Sequence, residues 1–236
     1  MPALSFRDLK EPSEFYFVRH GESEGNRDGR IQGREDAPLT ETGIEHARAA
    51  GRWFSDKSID RIYTSPLTRS RQTAEEMASS LGLGESVVLD DLIELDTGIL
   101  TARAASELKR EDPELYRLFQ ARSWEVIPGA EKMEAIHSRA IRAWERMIAD
   151  AASGSRRLVA VTHGGTLQWL IKATMTTDLS WMPIFTAHNC GVFRFVVYPT
   201  AYGAEDELGP HDGCFRAWDL VNFSPYEAAP PDNPAG

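Results

Sequence analysis

The 236-residue sequence predicts an α/β protein: a three-layer sandwich with a mostly parallel central sheet and helices on both faces. Three observations predict it. Short runs of unbroken apolar residues end abruptly in polar ones, as strands buried on both faces do. Helical periodicities fill the spaces between the runs. Strand and helix patterns then alternate along the chain, which is the signature of a sheet covered by crossover helices.

In chain order, FYFV (15–18) is the first strand. In TETGIEHARAAGRWF, Ile44, Ala47, Ala50 or Gly51 and Phe54 recur at helical spacing, with Thr40 as N-cap after Pro38-Leu39. RIYTS (61–65) is the second strand. LTRSRQTAEEMASSLG (67–82) is a helix closing on a glycine suited to a C-cap. VVLDDLIEL (87–95) is a further apolar run, closed by Glu94. Residues 98–130 are helical but less regular, an insertion expected over one end of the sheet. From Glu131 to Ala152, Met133, Ile136, Ala140, Trp144, Met147 and Ala151 form one apolar stripe that reads as core. LVAVTH (158–163) is a strand running into a helix opened by Gly164-Gly165-Thr166 and ending near Met175. VFRFVVY (192–198) and CFRAWDLVNFSPYE close the list, the latter as a last strand whose Trp218 and Phe223 call for burial. The Pro/Ala-rich tail from about residue 227 reads as disordered. No internal repeat and no linker divides the chain, so one domain over 1–236 is expected.

Composition narrows the function classes. The formal net charge is −10, which disfavours nucleic acid or an anionic membrane surface as partner. It leaves room for a small anion held by clustered arginines. Cys190 and Cys214 form no CxxC and no His/Cys cluster, so neither a disulfide framework nor a metal site is expected. The N-terminus MPALSFRDLKEPSEF is short, polar and unlike a signal peptide, and no apolar stretch reaches membrane-spanning length. A cytoplasmic chain is the expectation.

The chemistry-bearing residues sit where strands end. Ligands in open α/β sheets bind beyond the carboxyl ends of the strands. Arg19-His20 ends the first strand, His163 another, and Ser65-Pro66 a third, with Arg69 just inside the following helix; Glu94 closes a fourth run. Guanidinium groups pair bidentately with phosphate oxygens, a helix opening at Gly164 offers backbone N–H groups to an anion, and histidine can act as a nucleophile. A carboxyl group nearby can protonate a leaving oxygen. The set suits a phosphate monoester and calls for no metal and no cofactor.

RHGESEGN, IQGREDAPLTETG, SPLTRSRQTA and VTHGG, in that order, resemble the histidine phosphatase superfamily, the phosphoglycerate mutase-like proteins, over roughly residues 14–198. The resemblance implies an α/β sandwich with its site at the C-terminal edge of the sheet. It implies His20 as the nucleophile that becomes phosphohistidine. Arg19 and Arg69 would grip the phosphoryl oxygens. His163 would donate to those oxygens, most usefully as a cation, with Asn26 and Gly164 in the same pocket. Glu94 would protonate the leaving alkoxide and then activate water. Ser23 matches a position near the site and is a candidate substrate contact, although a turn-forming role fits it equally; Gln32 and Gly33 are candidate contacts too, with organising the loop and the helix start as the favoured reading. Family dimers make a homodimer one expectation beside the phosphorylated small-molecule ligand.

The superfamily contains mutases and phosphatases. Cofactor-dependent phosphoglycerate mutases follow the catalytic glutamate with Arg-His-Tyr-Gly, whereas here Glu94 is followed by Leu95-Asp96-Thr97-Gly98. That favours a histidine acid phosphatase-type phosphomonoesterase acting on a small phosphorylated metabolite. Two alternatives stay open: mutase-type phosphoryl transfer, and a phospho-ligand or phosphoprotein-binding member with little catalysis. Pro128-Gly129-Ala130-Glu131-Lys132 departs from the family's usual Pro-Gly-Gly-Glu-Ser, so the leaving group is not legible. Arg27, Arg30 and Arg34 are candidates for a further anion, against a solvated loop balanced by Asp28, Glu35 and Asp36. Trp124, Tyr116, Phe119 and Arg122 are candidates for the pocket mouth or for core.

Overall fold

A computed structural model describes residues 4–175, 184–199 and 213–227. Six strands form one sheet in the order β3-β2-β4-β1-β5-β6: β1 (Ser13–Arg19), β2 (Arg61–Thr64), β3 (Val87–Val88), β4 (Arg157–Thr162), β5 (Val192–Pro199) and β6 (Cys214–Phe223). The pairs β1–β4, β2–β4 and β2–β3 are parallel. Those of β5 with β1 and β6 are antiparallel. The apolar run 192–198 is thus an antiparallel strand, since burial on both faces makes a run apolar whichever way its neighbours point.

Alternation along each strand builds two cores. Phe15, Phe17, Leu158, Ala160, Phe193 and Phe195 face one side, where α6 (Met133–Ala152) and α7 (Gly164–Lys172) pack. Tyr16, Val18, Ile62, Val159 and Val161 face the other, against α2 (Glu41–Trp53) and α3 (Thr68–Leu81). The stripe on α6 lands as expected. Trp144 sits at its centre, in ring contact with Phe15 and Phe17 (5.2 and 4.9 Å), and its indole N–H donates to the Leu170 carbonyl of α7 at 2.8 Å. Thr40 caps α2 by accepting from Gly43 N–H, and Gly82 ends α3 at φ 65°. Trp218 packs on Phe17, Trp144 and Phe195.

Three features correct the sequence reading. The N-terminal segment is not merely a polar lead-in: Leu4, Phe6 and Leu9 enter the core. The run 87–95 yields only a two-residue strand, followed by a 3₁₀ turn over Asp90–Leu92. Glu94 therefore arrives from an irregular segment rather than from a strand end. The helix from Gly164 ends at Lys172, short of Met175. Within 98–130 lie α4 (Ala105–Glu111), α5 (Pro113–Arg122) and a 3₁₀ turn over Ser123–Val126, gathered on a small core of Leu100, Leu108, Ile127 and Ala130. The tail read as disordered lies outside the described residues except for Glu227.

Candidate active site

A cavity of about 340 Å³ opens at the carboxyl edge of the sheet. Its inner end is lined by Arg19, His20, Asn26, Arg69, Glu94 and Gly164. These come from the end of β1, the short helix α1 (Glu24–Arg27), the start of α3, the segment after β3 and the start of α7. The topology therefore converges residues that are far apart in sequence.

His20 is fixed on every side. Its backbone N–H donates to the Thr162 carbonyl at 2.9 Å, and its carbonyl accepts from the Asn189 amide at 3.0 Å. Its Nδ1–H donates to the Gly21 carbonyl at 2.7 Å, which places the lone pair on Nε2, and Arg69 Nε–H donates to that nitrogen at 3.2 Å. Burial first, and then the charges of Arg69 and Arg19, push its pKa well below the usual 6.5. The ring is neutral at pH 7.

Arg69 is 1% exposed. Its Nη atoms donate to the carbonyls of Glu35 (2.5 Å) and Gly33 (2.8 Å), so the loop after the RHG motif orients the guanidinium. Arg19 donates from Nη1 to the Ala187 carbonyl at 2.6 Å, while its Nε is buried and has no partner. His163 does not line the cavity; it stands behind, its ring centroid 5.1 Å from that of His20. Its Nε2 meets Ser65 Oγ at 2.6 Å and its Nδ1 is buried without a partner. The expected cation is not what the free site holds. Burial, followed by Arg69, His20 and other nearby charges, drives the His163 pKa well below 6.5, so it too is neutral.

Glu94 caps α7. Its Oε1 accepts from the N–H groups of Leu95 (2.8 Å) and Thr166 (3.0 Å), and its Oε2 from Gly165 N–H (3.2 Å). The helix N–H groups expected to meet a ligand thus meet Glu94 at Gly165 and Thr166. A Cβ at 165 would lie 2.7 Å from Glu94 Oε1 and 2.3 Å from Leu95 Cδ2, so any larger residue would push on the Glu94 carboxylate and the Leu95 side chain. Arg139, 5% exposed, holds the segment by donating to the carbonyls of Asp91 (2.9 Å) and Ile93 (2.6 Å) while pairing with Glu131 at 2.9 Å.

Of the candidate substrate contacts, Gln32 and Gly33 line the cavity and Ser23 does not. Ser23 is fully buried, N-caps α1, and its hydroxyl donates to Gln32 Oε1 at 2.8 Å. Asn26 accepts from Ser23 and Asn189 through Oδ1. Arg27 pairs with Asp28, and Arg34 with Glu131, whereas Arg30 lines the cavity. Trp124 belongs to both the wall and the small core of 98–130; Tyr116 and Phe119 pack in that core, and Arg122 is exposed.

The reading from sequence missed Arg139, Asn189, Gln168, Trp169 and Lys172. Three of these carried a signal. Gly164, Gln168 and Lys172 follow one another at i, i+4 and i+8, and Gly165 and Trp169 at i, i+4, so the helix face opened by the two glycines is the face that lines the cavity. Among the described residues, no three His, Cys, Asp or Glu side chains group as metal ligands would.

The sequence profile of the histidine phosphatase superfamily (branch 1) matches residues 15–205. The chain belongs to this superfamily. Relatives include a probable phosphoglycerate mutase of Photorhabdus laumondii, 38% identical over 77% of this chain and 83% of its own length. Phosphoglycerate mutase-like protein 4 of Arabidopsis thaliana is 34% identical over 67% and 69%. Among solved structures, a mycobacterial glucosyl-3-phosphoglycerate phosphatase superposes with a TM-score of 0.75 at 21% identity, over 91% of this chain and all of that one. Members of this histidine phosphatase superfamily are phosphatases and mutases, and no helix among the described residues of this one is long and apolar enough to cross a membrane.

Proposed function

We propose that the chain is a phosphomonoester hydrolase working through a phosphohistidine on His20. The observation that carries the reading is the His20 ring: neutral, with its proton held at Nδ1 by the Gly21 carbonyl and its lone pair on Nε2 at the inner end of the cavity. A base held in one tautomer between two arginines is prepared for in-line attack on phosphorus.

In the first step the Nε2 lone pair forms the N–P bond, the ester P–O bond breaks, and a protonated Glu94 gives its proton to the departing oxygen. In the second, Glu94 as carboxylate takes a proton from water as that oxygen attacks phosphorus. The P–N bond breaks, its electrons return to Nε2, and inorganic phosphate leaves. Arg19 Nε, buried and unpartnered in the cavity wall, gains an acceptor when a phosphoryl oxygen arrives. A buried polar group left unpaired costs about 1–3 kcal/mol, so the free site is poised for an anion. The dianion also supplies the countercharge that would let His163 take up a proton.

The names of the relatives favour mutase transfer as the second reading. The experiment is hydrolysis of p-nitrophenyl phosphate with EDTA present, beside 3-phosphoglycerate with its bisphosphate. His20→Ala is expected to lower turnover by ~10⁴-fold or more, as loss of a nucleophile does. Phosphoglycerate turnover without net hydrolysis would establish the mutase reading instead. Hydrolysis that persists in His20→Ala would sink both.

A further inference from the structure

The last strand carries an amide that the two-step reaction leaves without a role. Between β5 and β6 the register slips: Arg194 faces Leu220 and Val192 faces Phe223, so Val221 and Asn222 share the place opposite Phe193. A bulge of this kind re-aims the side chain it carries. Asn222 sits there with φ at 55°, in the left-handed region that glycine occupies at least cost and asparagine tolerates. Asparagine meets the backbone demand and adds a donor and an acceptor.

Both are directed at the loop that precedes β5. Asn222 Oδ1 accepts from His188 N–H and its Nδ2 donates to the Thr186 carbonyl, each at 2.8 Å. The partners are backbone groups of fixed role, so they determine which end of the amide is which. Ser224, 7% exposed, adds a further tie, its Oγ 3.0 Å from His188 Nδ1. A Cβ at Gly191 would lie 2.5 Å from Asn222 Oδ1, so the loop closes tightly around the amide.

The other side of this loop holds the phosphoryl end. Ala187, between the two residues that Asn222 ties, accepts from Arg19 Nη1 at 2.6 Å and lines the cavity beside it. The Asn189 amide donates to the His20 carbonyl at 3.0 Å. Cys190 N–H donates to the Arg19 carbonyl at 2.9 Å, and Arg19 N–H to the Gly191 carbonyl at 3.2 Å. The Ala187 carbonyl thus orients the Arg19 fork while its Nε stays open to a ligand.

We propose that Asn222 is a positioning residue for phosphate binding. It fixes residues 186 and 188, and through the Ala187 carbonyl between them it aims the Arg19 guanidinium. Ser224 assists through His188. The inference rests on the inner end receiving the phosphoryl group. It gives a part in the reaction to a C-terminal segment that lies beyond residue 205, where the match to the superfamily ends.

A double-mutant cycle on phosphate binding tests it. Calorimetric titration with inorganic phosphate would compare wild type, Asn222→Gly, Arg19→Lys and the double variant. Asn222→Gly removes the amide and accommodates the positive φ. It is expected to weaken binding about tenfold, the scale of one or two net hydrogen bonds, and Ser224→Ala about threefold. Arg19→Lys lacks the Nη1 donor, so adding Asn222→Gly to it should cost less than about twofold more, since a residue acting through Arg19 has nothing left to aim. Equal losses in the two backgrounds, or unchanged affinity in both Asn222→Gly and Ser224→Ala, overturn the positioning role. A cycle that behaves as expected while p-nitrophenyl phosphate is not hydrolysed removes the hydrolase reading and keeps the inference. Wild type that binds no phosphate removes the reading of the inner end, and the inference with it.

Discussion

The two ends of the cavity are built differently. At the inner end His20, Arg69 and His163 are 2%, 1% and 0% exposed, stand on strand ends or a helix start, and are braced by backbone groups of distant segments. Elsewhere in the lining Arg30 and Trp124 are half-buried and stand on a loop and on the 98–130 segment, with Arg30 3.5 Å from Asp28 and from Glu35. The difference teaches which part of the reaction each end can serve. Phosphoryl transfer needs groups held to fractions of an ångström, and the sheet supplies that rigidity. Leaving-group recognition tolerates movement and varies with the loops that provide it.

Breaking the inner end should therefore have the largest effect. Arg69→Lys keeps a charge but loses the planar fork that donates at once to His20, Gly33 and Glu35. Loss of one preorganised donor costs about 10²–10³ in kcat, and that is the expected fall for p-nitrophenyl phosphate, with little change in KM. A lysine variant within tenfold of wild type would mean that charge alone suffices and the bracing is incidental.

The inner end should also show itself in stability against pH. His20 and His163 have folded pKa values well below 6.5 because burial and neighbouring arginines oppose their charged forms. As pH falls below about 6.5 the unfolded chain takes up protons that the folded chain refuses, so stability is full above that value and is lost progressively beneath it. Each histidine contributes a slope of at most ~1.4 kcal/mol per pH unit. Urea unfolding between pH 7.5 and 5.5 should show this loss, reduced in His20→Asn and in His163→Asn. Identical slopes in all three proteins would mean that neither ring is held neutral by the fold.

The same contrast governs what the sequence disclosed. The inner end was legible because its residues are ordered by motifs at strand ends, where apolar runs stop at Arg19-His20 and His163. Glu94 was found as the close of an apolar run and its role by resemblance, but its support was not: Arg139 lies on a helix whose apolar stripe conceals one inward guanidinium, and its bonds run to backbone carbonyls at Asp91 and Ile93, which no side-chain pattern records. Helices were placed within a few residues because caps such as Thr40 and Gly82 are local. The direction of β5 is set by its neighbours and was not legible from its own residues. Trp124 was least legible, since it reaches the cavity wall from the irregular 98–130 segment.

The smallest effect on turnover should come from loosening that segment. Leu108 is 3% exposed within the small core of Leu100, Ile127 and Ala130, which is separate from the two cores on the sheet. Leu108→Ala removes about 2–5 kcal/mol of packing, but from a unit that can open without the sheet. Limited proteolysis should then cut between residues 98 and 130 well before global unfolding. Turnover of p-nitrophenyl phosphate should fall by only a few-fold, mainly through KM, because Arg19, His20 and Arg69 stay in place. Leu170→Ala, a deletion of the same size in the sheet core, should instead lower the global melting temperature without local cutting. If the two variants melt and nick alike, the segment is part of the rigid body, and the division between a fixed chemical end and an adjustable recognition end fails.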